Sequence, residues 1–454
     1  MTSRRALWIV CVAAALHAVF FIWYQQPDWT TEWTDQEGYR RLGQVLAETG
    51  RFTRYPDYAV FVPEVIRTPG YPAFVAAVYT VSGVSHLAVA IAQTGVFAAI
   101  CLVVYGIARR VTSERLALAA AAATALFPPI PYFGALVLTE VWTTLVLSCA
   151  LLVCLRATGS GQIRTFAAAG LLFGCTTLVR PAFVLLPFGL AVGMPLLVPA
   201  ERGTRRRLAG WAVLALASGL TLLPWLTYNY AYLGQFTLSP AGGVGRGLWE
   251  GSWQGRWPGR VHAQLTAIAD EEIPRDVLDQ RVRVVAADNR FAAEPMLVYV
   301  HEWRDIRRIW EEPVDPMERA RARVVADREY LRAARRHISE DPRGFAWRRL
   351  TRGLFVLWAS DIPIRFSDIN ATPTWIIRLL WLAQVALLAA AALGVATLVA
   401  HGRLTQAALL ALPLLYVTGV HLPLLCETRQ SLPVKPIVLV LATIGVARLK
   451  HAAL

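Results

Sequence analysis

The chain has 454 residues, 56% of them hydrophobic, and a formal net charge of +14. Soluble domains are about 45–50% apolar, whereas several uncharged apolar runs here exceed roughly 18 residues, the length that spans a bilayer. The composition therefore excludes a soluble protein and predicts a polytopic helical membrane protein. Much of the positive charge lies in short loops between apolar runs, where arginine sets the orientation of a span. Nucleic acid is therefore excluded as the partner.

Ten membrane-spanning helices are predicted, which places both termini on the same side of the membrane. Their approximate ranges are 6–24, 87–108, 116–133, 134–155, 166–180, 181–198, 208–226, 375–400, 405–424 and 433–446. The short arginine-rich loops all fall on one side, which the positive-inside rule assigns to the cytoplasm. The first apolar run is too long for a typical cleaved signal peptide, so we expect it to remain as the first span.

Polar segments divide the chain into three predicted parts. Residues 1–236 form an N-terminal catalytic module of seven spans, and its first outer loop, residues 25–86, contains an amphipathic helix. Residues 237–374 form an extracytoplasmic helical block that ends in an interfacial helix. Residues 375–454 form a C-terminal module of three spans. The predicted fold class is an all-α polytopic membrane protein with about ten transmembrane helices.

Ionisable residues gather at the outer ends of the predicted helices, although charge near a membrane is costly and by default suggests function. The residues expected to meet there are Asp35, Glu37, Arg67, Glu140, Arg180, Glu427, Arg429 and Lys435. Such a set suits transfer from a phosphorylated lipid. A carboxylate can act as general base, arginine can hold the phosphate through two hydrogen bonds, and a second carboxylate can help to hold a divalent cation.

Each of these residues also has a simpler interpretation. Asp35 could cap the amphipathic helix that follows it, since aspartate is favoured at that position. Glu140 could cap the fourth span or reach the lipid head groups. Arg180, Arg429 and Lys435 could anchor helix ends at the membrane surface.

Several motifs occur in an order that resembles one known group. They are Asp35-x-x-x-Tyr39, Leu46-Ala47, Gly50-x-Phe52, Arg67-Thr68-Pro69-Gly70-Tyr71-Pro72, Leu138-Thr139-Glu140, Leu178-Val179-Arg180-Pro181, Pro224-Trp225, Asn229-Tyr230, Gly234-x-Phe236 and Arg429-x-x-Leu432-Pro433-x-x-Pro436. Together they resemble the bacterial C-type membrane glycosyltransferases, the relatives of protein O-mannosyltransferase (glycosyltransferase family 39) and of the aminoarabinose transferase of lipid A. Two positions depart from the family pattern, because Tyr228 replaces an arginine and Gln430 replaces a tyrosine.

The resemblance implies an inverting glycosyltransferase of the cell envelope that uses a polyprenyl-phosphate sugar on the outer side of the bacterial cytoplasmic membrane. The acceptor would be a hydroxyl group of a lipid, a glycan or a protein. Asp35 would be the catalytic base and Glu140 a second catalytic residue, and the same pair could hold a divalent cation. The residues expected to bind the donor phosphate are Arg67, Arg180, Arg429 and Lys435. The residues expected to contact substrate are Glu37, Tyr39 and Tyr71.

Two other functions remain open from the sequence. The protein could be a transporter or flippase for a lipid-linked saccharide, or a non-catalytic protein that only binds such a lipid. Transporters typically carry their sites near the bilayer midplane, on broken helices. Here the acidic residues lie at one face and charge within the spans is nearly absent, which favours an enzyme. Intact Asp35 and Glu140 argue weakly against the non-catalytic alternative.

Overall fold

The computed structural model describes residues 3–29, 34–197, 204–365, 368–369 and 371–452. Within these ranges every regular element is helical and no strand occurs. The predicted all-α class is therefore confirmed. The basic loop predicted between the sixth and seventh spans lies partly outside the described residues.

Seven of the described helical segments are long and apolar enough to cross a membrane. They are α1 (Ser3–Gln25), α4 (His86–Val111), α7 (Glu140–Ser160), α10 (Thr204–Leu233), α18 (Thr374–Ala400), α19 (Leu404–His421) and α20 (Lys435–Ala452). The predicted fifth and sixth spans correspond to the shorter apolar helices α8 (Ile163–Val179) and α9 (Leu186–Leu197). A single turn of 3₁₀ helix, Pro181–Phe183, lies between them.

The predicted third span is broken in the structure. Instead of one helix over residues 116–133, α5 (Glu114–Ala125) and α6 (Pro129–Gly134) are separate. Pro128 and Pro129 remove backbone donors and clash with the preceding turn, so a continuous helix cannot form there. The following helix, α7, consequently begins at Glu140 rather than near residue 134, which places this carboxylate in the first turn.

The first loop contains the predicted amphipathic helix, α2 (Thr34–Thr49), followed by α3 (Gly70–Ser82). The helices pack against each other, and Leu42 and Val45 on the apolar face of α2 are fully buried. That face is therefore covered by protein. A Cβ atom on Gly70 would lie 2.7 Å from the backbone oxygen of Leu178. The absence of a side chain therefore lets the start of α3 rest directly on the end of α8.

Two buried glutamines hold the loop that leads into α7. The Val137 N–H donates to Gln36 Oε1 at 2.9 Å, which ties this loop to α2. Gln93 Nε2 donates to the carbonyl oxygens of Gly134 and Leu136, at 2.9 and 2.8 Å. Buried backbone groups need such partners because they have lost their water. The start of α7 is thereby fixed relative to the residue that follows Asp35.

The segment after α10 forms a block with its own aromatic core. Its helices are α11 (Val244–Trp253), α12 (Gly259–Asp270), α13 (Arg275–Asp288), α14 (Ala293–Glu311) and α15 (Pro316–Glu340). Trp249, Trp253, Tyr299 and Tyr330 pack together at its centre. The continuous helical stretch that follows consists of α16 (Pro342–Arg348), a π-helical turn (Arg349–Gly353) and α17 (Leu354–Trp358). It covers residues 343–358, the segment for which the sequence predicts an interfacial helix.

Lys435, the first residue of α20, is completely buried (0% exposed). Its Nζ donates to the carbonyl oxygen of Trp358 at 3.1 Å and to Gln384 Oε1 at 3.2 Å, and it lies 3.8 Å from Asp361 Oδ2. Burial raises the pKa of Asp361 to about 6, although the positive charge of Lys435 acts in the opposite direction. The pair joins the connection after α17 to α18 and α20.

We expect Lys435→Met to destabilise the protein by about 3–5 kcal/mol, because it leaves a buried carboxyl group without its partner. Thermal unfolding of the purified protein in detergent measures the effect. Replacing both partners, Lys435→Met with Asp361→Leu, should recover most of the loss. Arg448→Met, an exposed basic residue on the same helix, is the matched control. If Lys435→Met costs no more than this control, the pair does not stabilise the fold.

Candidate active site

A cavity of about 610 Å³ opens where the first loop, α7, α11 and α19 meet. Its ionisable lining residues are Asp35, Arg67, Glu140, Arg180, Arg246, Glu250, His421, Glu427 and Arg429. Four arginines and four carboxylates therefore balance in charge, with one histidine beside them. Apolar side chains, among them Val184, Leu185 and Val420, line another part of the same cavity. The cavity can thus receive a molecule that is charged in one part and apolar in another.

The carboxylate of Asp35 is shared between two arginines. Arg67 Nη2 lies 2.9 Å from Oδ1, and Arg429 Nη1 lies 3.1 Å from Oδ2, while the side chain stays 43% exposed. Burial by itself would raise the pKa of Asp35, but the positive charges of Arg429 and Arg67 outweigh it and hold this pKa below its ordinary value. Because α2 begins at Thr34, Asp35 lies inside the first turn, where the helix dipole also favours a negative charge.

The carboxylate of Glu140 lies deeper, with its side chain only 3% exposed. Arg180 Nη1 is 3.5 Å from Oε1, and Arg429 Nη1 is 4.0 Å from the same oxygen. A single guanidinium nitrogen of Arg429 therefore contacts both Asp35 and Glu140. The two carboxylates, which lie 105 positions apart in the sequence, are brought to one place.

Arg67 is held in position by Glu64, which is buried. Glu64 Oε1 accepts hydrogen bonds from the backbone N–H groups of Ile66 and Arg67, at 2.8 and 3.2 Å. Its carboxylate also forms two hydrogen bonds with Arg54, at 2.6 and 3.1 Å. Arg67 lies in the turn before α3, and its guanidinium contacts Asp35. The hydrogen bonds to Glu64 therefore help to position this ion pair.

The ring of Tyr39 packs against the guanidinium of Arg67. Its ring centroid lies 4.5 Å from Arg67 Cζ, a cation–π contact, and it also lines the cavity. Tyr71 packs edge-on against Tyr39, with 5.1 Å between the ring centroids, and its hydroxyl donates to Gln93 Oε1 at 3.1 Å. Tyr71 is fully buried behind Tyr39 and does not line the cavity.

Two further residues that the sequence assigned to the site lie elsewhere. Lys435 is enclosed with Asp361 between helices and is not part of the cavity lining. Glu37 is 67% exposed and pairs with Arg40 at 2.6 Å. Residues two positions apart on a helix do not face the same way, so Glu37 points away when Asp35 points in. The sequence placed Lys435 in the site because it lies six positions after Arg429. This spacing does not show that the residue is on the buried side of α20.

Among the charged and histidine residues of the lining, Arg246, Glu250 and His421 were not named from the sequence. Arg246 and Glu250 lie in the polar block after α10, to which no site residue was assigned. His421 ends an apolar run and looks like a packed residue of a span. The only available signal was the glycine-rich stretch of residues 242–247 before the pair, which permits close approach of a backbone.

Four buried polar atoms of the lining have no hydrogen-bond partner among the described residues. They are Arg67 Nε, Glu140 Oε2, Arg180 Nη1 and His421 Nδ1. Buried polar atoms in proteins are nearly always paired with protein or with water. Their concentration in one cavity indicates a place that water or a substrate completes.

The predicted divalent cation at Asp35 and Glu140 remains a prediction. The Arg429 guanidinium lies between these carboxylates, on Oδ2 of Asp35 and Oε1 of Glu140. Glu140 Oε2 has no hydrogen-bond partner among the described residues. Among the same residues, no group of three or more His, Cys, Asp or Glu side chains could hold a metal ion. In the arrangement described here, arginines supply the positive charge between the carboxylates.

Residues 66–228 match the family described as dolichyl-phosphate-mannose-protein mannosyltransferase. The matched segment contains Arg67, Glu140 and Arg180, whereas Asp35 and Arg429 lie outside it. A search of the curated proteins gives no significant match.

Solved structures with a similar fold include the oligosaccharyltransferase AglB from Archaeoglobus fulgidus. Its complex with an inhibitory peptide and a dolichol-phosphate superposes with a TM-score of 0.54 and 13% identity, over 98% of this chain and 50% of that chain. The apo form of the Archaeoglobus fulgidus enzyme gives a TM-score of 0.52 and 15% identity, over 98% and 51%. This chain therefore spans about half the length of these oligosaccharyltransferases.

A further match is ArnT from Cupriavidus metallidurans bound to undecaprenyl phosphate. It has 16% identity over 98% of this chain and 78% of that chain, but its TM-score of 0.39 is too low to show a common fold. The match over residues 66–228 and the fold shared with the archaeal oligosaccharyltransferase confirm the resemblance to the C-type membrane glycosyltransferases that the sequence motifs indicated.

Proposed function

We propose that this protein is a membrane glycosyltransferase that moves a sugar from a polyprenyl-phosphate donor to a hydroxyl group of a lipid, a glycan or a protein. The observation that carries the proposal is the sharing of Arg429 by Asp35 and Glu140, with Arg67 and Arg180 in the same cavity. The match to a mannosyltransferase family over residues 66–228 supports the reaction class. The dolichol-phosphate in the structure of the archaeal enzyme supports a lipid-phosphate donor.

The donor phosphate would bind Arg67, Arg180 and Arg429. Arginine suits this role because its planar guanidinium makes paired hydrogen bonds to phosphate and remains charged at any physiological pH. Among the described residues, two of the three have a buried N–H without a hydrogen-bond partner, Arg67 Nε and Arg180 Nη1. The polyprenyl chain would leave the cavity past Val184 and Leu185, which follow Arg180 in the chain and are apolar.

Asp35 would act as the general base. Its carboxylate takes the proton of the acceptor hydroxyl, whose oxygen attacks the anomeric carbon of the sugar from the side opposite the phosphate. The bond between that carbon and the phosphate oxygen breaks, and its electron pair leaves with the polyprenyl phosphate. The configuration at the anomeric carbon inverts in this single displacement. Arginines beside the phosphate stabilise the negative charge that develops on it.

Binding of the donor would also activate Asp35. In the structure, the positive charges of Arg429 and Arg67 lower the pKa of this carboxyl, which makes it a weak proton acceptor. A donor phosphate draws both guanidinium groups toward itself, and the pKa of Asp35 then rises toward its ordinary value. The base therefore becomes effective only after the donor is bound, which predicts an order of binding with the donor first.

The proposed location is the bacterial cytoplasmic membrane, with several spans, both termini in the cytoplasm and the cavity on the outer side. The distribution of arginine among the short loops supports this orientation. Asp35, Glu140, Arg180 and Arg429 all lie at the ends of apolar helices or in the loops that join them. Such positions open to water rather than to the hydrocarbon core.

We expect Asp35→Asn to reduce sugar transfer by about 10²- to 10⁴-fold, the usual contribution of a general base. Transfer is measured in membranes with radiolabelled polyprenyl-phosphate sugars, and insertion of each variant is confirmed in the same membranes. Glu48→Gln, an exposed acidic residue on the same helix, should keep the native rate. Equal transfer by Asp35→Asn and the native chain would mean that another group is the base. If the native chain binds these donors but never consumes them, the transport and binding alternatives replace this proposal.

We expect Arg67→Gln to shift the acid limb of the pH–rate profile to higher pH. Activity requires ionised Asp35 and is lost as the pH falls through its pKa, and this pKa rises when one of the two charges that lower it is removed. The measurement is kcat/KM against pH, which reports the pKa of the free enzyme. Arg40→Gln, at a basic residue of α2 that does not line the cavity, should leave the limb in place. An unchanged limb in Arg67→Gln would show that Asp35 does not control it.

A further inference from the structure

Helix α11 forms a polar wall of the cavity that the mechanism above does not use. Arg246 and Glu250 both line the cavity. They lie four positions apart, on one face of the helix, and Arg246 Nε lies 3.0 Å from Glu250 Oε1. The Arg246 side chain is half-exposed and that of Glu250 is mostly buried.

This wall is held from two sides. The carboxylate of Asp327, on α15, accepts hydrogen bonds from the N–H groups of Gly245 and Arg246, at 3.2 and 3.1 Å. On the other side, the Leu425 N–H donates to the carbonyl oxygen of Gly247 at 2.7 Å. A Cβ atom on Gly251 would lie 2.6 Å from the backbone of residues 423 and 424. The side chains are therefore presented by a fixed backbone, which reduces the entropy lost on binding a ligand.

The other groups of the proposed reaction are assigned to other parts of the cavity. The donor phosphate would bind three arginines, its lipid chain would contact the apolar residues, and the acceptor hydroxyl would contact Asp35. The sugar is attached to the phosphate and must present its anomeric carbon toward Asp35. Arg246 lies near enough to Asp35 for its charge to help lower the pKa of that carboxyl. A sugar ring between them would therefore meet α11 with its hydroxyl groups.

The chemistry of the pair suits a neutral sugar. A carboxyl group accepts hydrogen bonds from two hydroxyls, and a guanidinium donates to hydroxyl oxygens. The two charges compensate each other, so the pair offers no net attraction to an acidic or an amino sugar. Burial also raises the pKa of Glu250, although Arg246 acts in the opposite direction.

We propose that Arg246 and Glu250 form the subsite that recognises the sugar of the donor, and that this sugar is a neutral hexose. The inference rests on the function proposed above, because it concerns the donor of that reaction. It adds two specificity-determining residues that the family-like motifs do not contain. It also gives the polar block after α10 a direct part in substrate recognition.

The test compares binding of a donor with and without its sugar. The full chain in lipid nanodiscs is titrated with polyprenyl phosphate and with polyprenyl-phosphate mannose, glucose and galactose. We expect the native chain to bind at least one hexose-bearing lipid more tightly than the bare phosphate. Glu250→Gln and Arg246→Gln should reduce this preference by about 10-fold or more, the usual effect of losing a hydrogen bond to a charged group. Both variants should bind the bare phosphate as the native chain does, which also shows that they are folded.

Glu311→Gln is the matched control. Glu311 forms an ion pair at 2.8 Å with Arg307, which lies four positions before it on α14, the same spacing as Arg246 and Glu250. Glu311 does not line the cavity. This variant should keep the native preference for the sugar. If Arg246→Gln fails to fold, Glu250→Gln, which preserves the shape of the side chain, provides the test alone.

Other results would overturn the inference in ways that can be told apart. If both variants keep the preference for the sugar, α11 does not recognise it, and the proposed function stands. If they weaken the bare phosphate equally, the pair acts on the phosphate or on the fold. If the native chain binds no hexose-bearing lipid more tightly than the bare phosphate, there is no sugar subsite of this kind. If it binds neither lipid, the proposed function fails and the subsite fails with it.

Discussion

The contact on which the site depends is the sharing of one guanidinium by two carboxylates. Arg429 lies between Asp35 and Glu140, which come from the first loop and from α7. Like charges so close together repel each other unless a cation separates them. The arginine reduces this repulsion. Glu427, and after it Glu140 and Asp35, raise the pKa of Arg429 against the effect of its burial. Without this residue the two carboxylates would lose the guanidinium that lies between them, and each would keep one arginine, Arg67 for Asp35 and Arg180 for Glu140.

Contacts around the cavity fix the positions of these charged side chains. Within a membrane the hydrophobic effect contributes little to the association of helices. Polar contacts and close backbone packing therefore determine more of the relative positions of the helices. Gln36 and Gln93 fix the loop before α7, Glu64 fixes the turn that carries Arg67, and Gly70 lets α3 rest on α8. Residues 34–82 of the first loop therefore form a folded part of the protein.

The sequence predicted the helical class and most of the helices because long apolar runs have few other possible structures. It also predicted that Asp35, Arg67, Glu140, Arg180 and Arg429 lie close together, and all five line one cavity. The roles assigned to them stay predictions. It did not predict the break between α5 and α6, where a single proline pair outweighs an apolar pattern. It assigned Lys435 to the cavity because this residue is close in sequence to Arg429. That closeness does not reveal which side of α20 the residue occupies. It did not name Arg246 and Glu250, since an ion pair that lines a cavity has the same sequence pattern as one on an exposed surface.

The unpaired polar atoms of the cavity have a consequence for selectivity. Glu140 Oε2 and His421 Nδ1 are buried and lack a hydrogen-bond partner among the described residues, so in the empty protein ordered water has to meet them. A ligand that brings a hydroxyl group to these atoms replaces the water and its hydrogen bond. A deoxy analogue of the same shape displaces the water and leaves the atom unpaired, at a free-energy cost of about 1–3 kcal/mol. If the cavity binds the proposed donor, these atoms would make it reject a molecule for a missing oxygen more strongly than an apolar pocket rejects one for a missing methyl group.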